Sequence, residues 1–265
     1  LVVLVNTRVE NASFGAAFPL QCQDGRGVAG CDATALATAL RAEVNIEWPL
    51  RADELPTDQL MVFDMLEFLF EKAGRPVERE YHSYYSHHHL SFDIPAGQAD
   101  FVEAVERVFA RNGIAFEMTQ GGLIRRLLPE HLAGFVRYSV FRTGDDEADR
   151  LLELARAAVT HPNCEARRDG LEKLWDAFER LKTLNPGVDK KARAEAMLAR
   201  VQGGPKFRGF LDEEAAALTR AGNSLRIRHS EVFQEILSTS DQIDYLYFRM
   251  FTFVRLMVRA NGWGS

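Results

Sequence analysis

The sequence predicts a mainly α protein in which a small α+β module precedes a helical bundle. Three observations carry this. After residue 146, apolar residues recur at helical spacing in six consecutive segments: 147–160, 164–184, 189–202, 211–220, 224–239 and 242–260. Strand-like patterning is confined to the part before residue 146. Pro, Gly and Asn fall between the helical segments, at His161-Pro162, Asn185-Pro186-Gly187, Gly203-Gly204-Pro205 and Gly222. The predicted domains are therefore 1–145 and 146–265, the second a bundle with short loops between antiparallel neighbours.

The first 50 residues are weakly patterned. Val2 to Val5 reads as a strand, and Gly25, Gly27 and Gly30 with Asp24 and Asp32 mark a loop. Residues 32–41 read as a short helix behind an acidic cap, and Trp48-Pro49-Leu50 as the end of a strand or an extended segment. Residues 60–73 form an amphipathic helix with Val62, Met65, Leu66, Phe68, Leu69 and Phe70 on its buried face. Residues 81–93 are strand-like, with His87 and His89 on one face and His88 on the other. Residues 101–112 are helical. Residues 114–118 and 123–127 read as a hairpin across Thr119-Gln120-Gly121-Gly122.

The chain has 265 residues and a net charge of −6, which gives no global sign of nucleic-acid binding. The charge is uneven, however. Residues 161–230 carry 14 Lys/Arg against 10 Asp/Glu, and residues 1–160 carry 15 against 24, so a basic patch on an acidic protein is expected. Cys22, Cys31 and Cys164 form no C-x-x-C pair, which argues against a disulfide scaffold or a thiolate zinc site and for a reducing, cytoplasmic setting. The opening apolar run is too short for a signal peptide, and Arg249 and Arg255 interrupt the most apolar segment, so no membrane span is expected. That last segment is apolar almost all round. It is either a dimer contact, the favoured reading, or the central helix of the bundle.

Two clusters carry chemistry. The first is Arg226, Arg228, His229 and Glu231, following a helix-breaking Ala221-Gly222-Asn223 step at the start of a helix. Backbone N–H groups and the helix dipole favour an anion there, Arg clamps phosphate oxygens, and His exchanges a proton near neutral pH. The plain alternative is a solvated helix face with ion pairs to Glu231 and Glu235. The second is His82, His87, His88, His89 and Asp93, a rival metal site for Zn²⁺ or Mn²⁺ centred on His82, His87 and His89. No H-E-x-x-H accompanies it, and histidines in a Tyr-rich strand more often pack and hydrogen-bond, so no metal or other cofactor is expected. Tyr81, Tyr84 and Tyr85 can stack on bases but more often pack. Trp175 and Phe178 are expected in the core.

Trp175 followed by Glu179, Arg180, Leu181 and Lys182 resembles a helix of AbiJ-like abortive-infection proteins. So do the run from Glu214 through Gly222, Asn223, Arg226 and Arg228 to His229, and the closing Asp244 to Arg249. Trp48-Pro49, Tyr81 to Tyr84 and His87 to Asp93 resemble the amino-terminal module that accompanies them. The resemblance spans most of residues 45–260. It implies a HEPN (higher eukaryotes and prokaryotes nucleotide-binding) bundle that dimerises through its carboxy-terminal helices and cuts RNA without metal, in phage defence. The expected chemistry is attack of a 2′-hydroxyl on the adjacent phosphate, leaving a 2′,3′-cyclic phosphate. A phage-derived trigger or a partner defence protein is also implied.

The signature places an Arg five to seven residues before the His, where this chain has Gly222, Asn223 and Ser224. With this resemblance His229 is read as general acid/base, Arg226 or Arg228 as binding phosphate, and Asn223 as capping or positioning. Arg220, Lys190, Lys191 and Glu231 are candidate substrate-binding residues, Lys190 and Lys191 with Arg193 reading either as an RNA-backbone patch or as a solvated helix start. The alternatives are a non-catalytic RNA- or protein-binding module and a metal-dependent hydrolase at the histidine cluster.

Overall fold

The computed structural model describes residues 1–53, 55–225, 227 and 235–264. It is mainly helical with a small α+β amino-terminal part, and it divides into two units, Leu1–Leu127 and Leu128–Ser265.

The first unit runs α1 (Val2–Glu10), β1 (Pro19–Gln21), β2 (Val28–Cys31), α2 (Ala33–Val44), α3 (Gln59–Lys72), β3 (Arg75–His82), β4 (His87–Asp93), α4 (Ile94–Arg111), β5 (Phe116–Met118) and β6 (Ile124–Arg126). Four strands make an antiparallel sheet in the order β1-β2-β4-β3, and β5-β6 form a separate hairpin. Side-chain caps start three helices. Asp32 accepts from Thr34 N and Ala35 N, Asp58 from Leu60 N, and Asp93 from Ala96 N with Pro95 in the first turn. The helices bury Leu36, Leu40, Met65, Leu66, Leu69, Phe101, Val105 and Phe109 in one core. Each such side chain contributes about 1.5–3 kcal/mol of transfer free energy. Phe14 meets Phe101 edge-on, with ring centroids 6.2 Å apart.

Two expectations are corrected here. Val2 to Val5 is not a strand but the start of α1, because Val5 and Val9, one turn apart, are both buried. A short apolar run does not by itself separate the two periods. Trp48-Pro49 is a cis peptide in an irregular segment and ends no strand.

The second unit contains α5 (Glu130–Arg137), α6 (Asp146–Ala158), α7 (Cys164–Leu184), α8 (Lys190–Ala199), α9 (Pro205–Ser224) and α10 (Ser240–Ala260). The division falls ahead of the boundary expected at 145. Val136 and Phe141 belong to the helical core, and Phe135 and Phe141 both pack edge-on against Phe251. At the centre, α7 buries Leu171, Leu174, Trp175, Phe178 and Leu181. The core also takes Ile243, Leu246, Tyr247, Met250, Phe251, Val254 and Met257 of α10, so α10 is a core helix of its own unit. The Tyr247 hydroxyl donates to Ala155 O at 2.9 Å, which satisfies the one polar atom that this buried ring brings inside.

The step at 221–223 does not break the helix. α9 continues through it to Ser224, and Gly222 is buried against Trp175. A Cβ there would lie 2.2 Å from Trp175 Nε1, so the glycine serves close packing. Asn223 therefore sits in the last turn of α9. A helix over 224–239 is also not observed at its described ends. Leu225 is extended and bridges Glu235, residues 236–238 have no regular structure, and α10 begins at Ser240 behind a Thr239–Gln242 capping box.

Ion pairs tie the helices of this unit. Arg249 of α10 donates to both carboxylate oxygens of Glu214 on α9, at 2.7 and 2.8 Å. Arg180 forms a fork on Asp145 ahead of α6. The Arg249 and Arg180 side chains hold Glu214 and Asp145 below the ordinary carboxylate range. Folded pKa values depressed in this way give stability that is complete above the unfolded carboxylate pKa and is lost as pH falls through the folded one.

Gly222→Ala is expected to lower stability by about 1–3 kcal/mol through overpacking on Trp175, read from urea unfolding. Stability is expected to fall as the pH is taken below the ordinary carboxylate range. A Glu214→Gln variant, weaker at neutral pH, should lose less on the same titration.

Candidate functional site

The geometry that brings reactive groups together is in the first unit. β3 and β4 are joined by a turn at 83–86, and the register places His82 opposite His87 and Tyr81 opposite His88. Residues directly opposite on antiparallel strands share a face, and so do residues two apart on one strand. His82, His87 and His89 therefore project together, with ring centroids 5.3–5.8 Å apart. His88 lies on the other face, where its Nδ1 is 2.9 Å from Arg79 O and its ring sits 5.0 Å from that of Tyr81. Asp93 is occupied as the cap of α4. His88 and Asp93 thus leave the cluster proposed from sequence.

Two residues from elsewhere join it. Beyond β1, Cys22 N donates to Gly27 O at 2.8 Å and Gly25 N to Cys22 O at 2.9 Å, folding residues 22–27 into a tight loop. Gly25 takes a positive φ of 72° in that loop. β2 then pairs with β4 through Val28 and Leu90, which sets the loop against the histidines. A Cβ on Gly27 would lie 2.7 Å from His89 Cγ, so only glycine lets the loop approach this closely. Buried Cys22 comes to 3.4 Å (Sγ to Nδ1) from His82. The potential ligand atoms of Cys22, His82, His87 and His89 all lie within 4.8 Å of one another. Cys22 thus stands with the histidines, although the sequence reading kept the cysteines apart from them. Separated from His82 by 60 positions, it left no spacing signal in the sequence.

The surroundings complete the arrangement. Asp24 Oδ2 lies 3.6 Å from His82 Nε2, and Asp24 Oδ1 accepts from Arg26 N at 2.9 Å. The Arg26 N–H, the Cys22 side chain and the nearby histidines hold the Asp24 carboxyl below its usual range, and burial pushes the Cys22 thiol up. His87 Nε2 and His89 Nε2 are buried without a hydrogen-bond partner. One thiol and three imidazoles are a donor set for a borderline-soft divalent metal.

The second cluster predicted from sequence is only partly visible. Arg226, Arg228, His229 and Glu231 lie outside the described residues. Their flanks are defined: Glu235 N donates to Ser224 O at 3.3 Å, and Leu225 bridges Glu235 at the end of α9. Arg220 is exposed on α9 and lines a shallow groove with Phe210, Glu213, Glu214, Ala216 and Ala217. Lys190 pairs with Glu179 at 2.9 Å, and Lys191 with Glu195 at 3.9 Å.

No protein-family model, curated protein or solved structure matches the chain.

Gly27→Ala is expected to displace the His89 ring. It should shift the His89 imidazole resonances in NMR and lower the unfolding midpoint, while leaving those of His88 in place.

Proposed function

We propose that this chain is a metal-independent endoribonuclease of the HEPN kind, acting in the cytoplasm in phage defence. His229 is the general acid/base, Arg226 or Arg228 neutralises the phosphate, and Asn223 positions the run from the end of α9. The observation that carries the reading is the joining of Leu225 to Glu235. The residues on either side of the Arg/His run are held together at one end of a helical unit. Flanks brought together in this way suit a run that has to meet a phosphate in a set geometry. Exposed Arg220 and Lys191 are suited to backbone phosphates. The homodimer is assigned to the outer faces of α9 and α10, where Phe207, Phe210 and Tyr245 stay exposed. No described helix is long and apolar enough to cross a membrane.

The absence of Arg at 222–224 favours one second reading, a non-catalytic module that binds RNA or a partner defence protein. A cleavage assay on total RNA with chelator present separates the two. The parent is expected to leave 2′,3′-cyclic phosphate ends, and His229→Ala to cut about 10²–10⁴-fold more slowly with unchanged circular dichroism. Equal cleavage by both proteins removes His229 from the chemistry. RNA binding that weakens steeply with salt and yields no product supports the binding module.

A further inference from the structure

We propose that Cys22, His82, His87 and His89 form a tetrahedral Zn²⁺ site that clasps the 22–27 loop to the β3–β4 hairpin. This is separate from the RNA chemistry assigned to the second unit. The donor types decide the metal class. A thiolate and three imidazoles suit zinc, whereas magnesium and calcium take oxygen ligands. The number of donors decides the role. Four protein ligands close a tetrahedral shell, the pattern of structural zinc, whereas a catalytic zinc keeps a position open for water.

The distances fit. Zinc bonds of about 2.3 Å to sulfur and about 2.0–2.1 Å to nitrogen put neighbouring ligand atoms about 3.3–3.6 Å apart. Cys22 Sγ and His82 Nδ1 already stand 3.4 Å apart, and the whole set lies within 4.8 Å, so rotations of the imidazoles close the shell.

The second layer assigns the ring atoms. His82 turns Nδ1 toward Cys22 and Nε2 toward Asp24. That is the carboxylate–histidine–metal arrangement, in which the carboxylate fixes the ring and its tautomer. Asp24 is therefore a positioning residue. His87 and His89 each bury an Nε2 atom that no protein group satisfies, a cost that metal coordination removes. Gly27, with no room for a Cβ against His89, lets the loop bearing Cys22 close over the hairpin. The ion joins positions far apart in the chain and thereby replaces a larger apolar core at this edge of the sheet.

The test uses the full chain purified without chelator. It is expected to carry one zinc per chain by elemental analysis. After removal of zinc, the unfolding midpoint should fall, and Zn²⁺ alone should restore it. Co²⁺ in place of zinc should give intense visible bands of a tetrahedral site and a near-ultraviolet thiolate-to-metal band. Cys22→Ser should abolish the thiolate band and weaken zinc binding by at least about 100-fold. Asp24→Asn should keep the band and weaken binding about 10–100-fold. His88→Ala, on the opposite face, should bind as the parent does. The proposal is overturned if the parent takes up no zinc, if bound cobalt shows no thiolate band, or if zinc binding survives Cys22→Ser unchanged. If Cys22→Ser does not fold, the parent's cobalt spectrum and Asp24→Asn decide. None of these readouts depends on RNA cleavage.

Discussion

The pairing of His82 with His87 across the β3–β4 hairpin is the constraint on which the amino-terminal site depends. Side chains alternate with a period of two, so a slip of one residue would turn His87 and His89 outward and bring His88 in. The register also sets where β4 meets β2, and through Val28 and Leu90 it fixes the height at which the 22–27 loop reaches the histidines. The loop fits only because Gly25 tolerates a positive φ and Gly27 has no side chain. One backbone register and two glycines therefore place four donor side chains from three chain segments in one small volume.

The helical unit is organised by a different kind of contact. Trp175 packs closely against Gly222 of α9, and Phe178 of α7 meets Phe253 of α10 edge-on. Around this seam the charged residues are used internally. Glu179 takes Lys182 and Lys190, Arg180 takes Asp145, and Glu214 takes Arg249. Buried Arg167 donates to His161 O and Pro162 O, both at 2.8 Å, and pins the turn before α7. Exposed pairs of this kind contribute little each, about 0–1 kcal/mol, but the forked ones fix geometry. In the conspicuous run from Trp175 to Lys182 the apolar members are core, Lys182 pairs with Glu179 of the same helix, Glu179 also takes Lys190 of α8, and Arg180 takes Asp145.

Much of the fold was legible because the signals are local. Asp32, Asp58 and Asp93 cap helices by reaching two or three residues ahead, and apolar residues at helical spacing mark α3, α4, α6, α7 and α10 without knowledge of their partners. The departures arise where the local signal is ambiguous or the deciding contact is distant. Val2 to Val5 is apolar at both helical and strand spacing. Gly222 reads as a breaker until Trp175 is placed against it. The division at 127 rather than 145 depends on where Phe135 and Phe141 find Phe251, a contact more than a hundred residues distant in sequence.

The sequence by itself determined the helical character of the chain, the α+β nature of its front part, and the sharing of one face by His87 and His89, because propensity, capping and side-chain period act over a few residues. Only the tertiary structure decided which groups stand with those histidines. Cys22 and Asp24 arrive through the pairing of β1 with β2 and of β2 with β4, and Asp93 is withdrawn by its cap on α4. The burial of α10 was settled in the same way, since an all-round apolar helix names its environment but not its neighbours. The physical reason is common to all of them. Strand pairing and core packing are long-range choices among surfaces, and no stretch of sequence carries the surface it will meet.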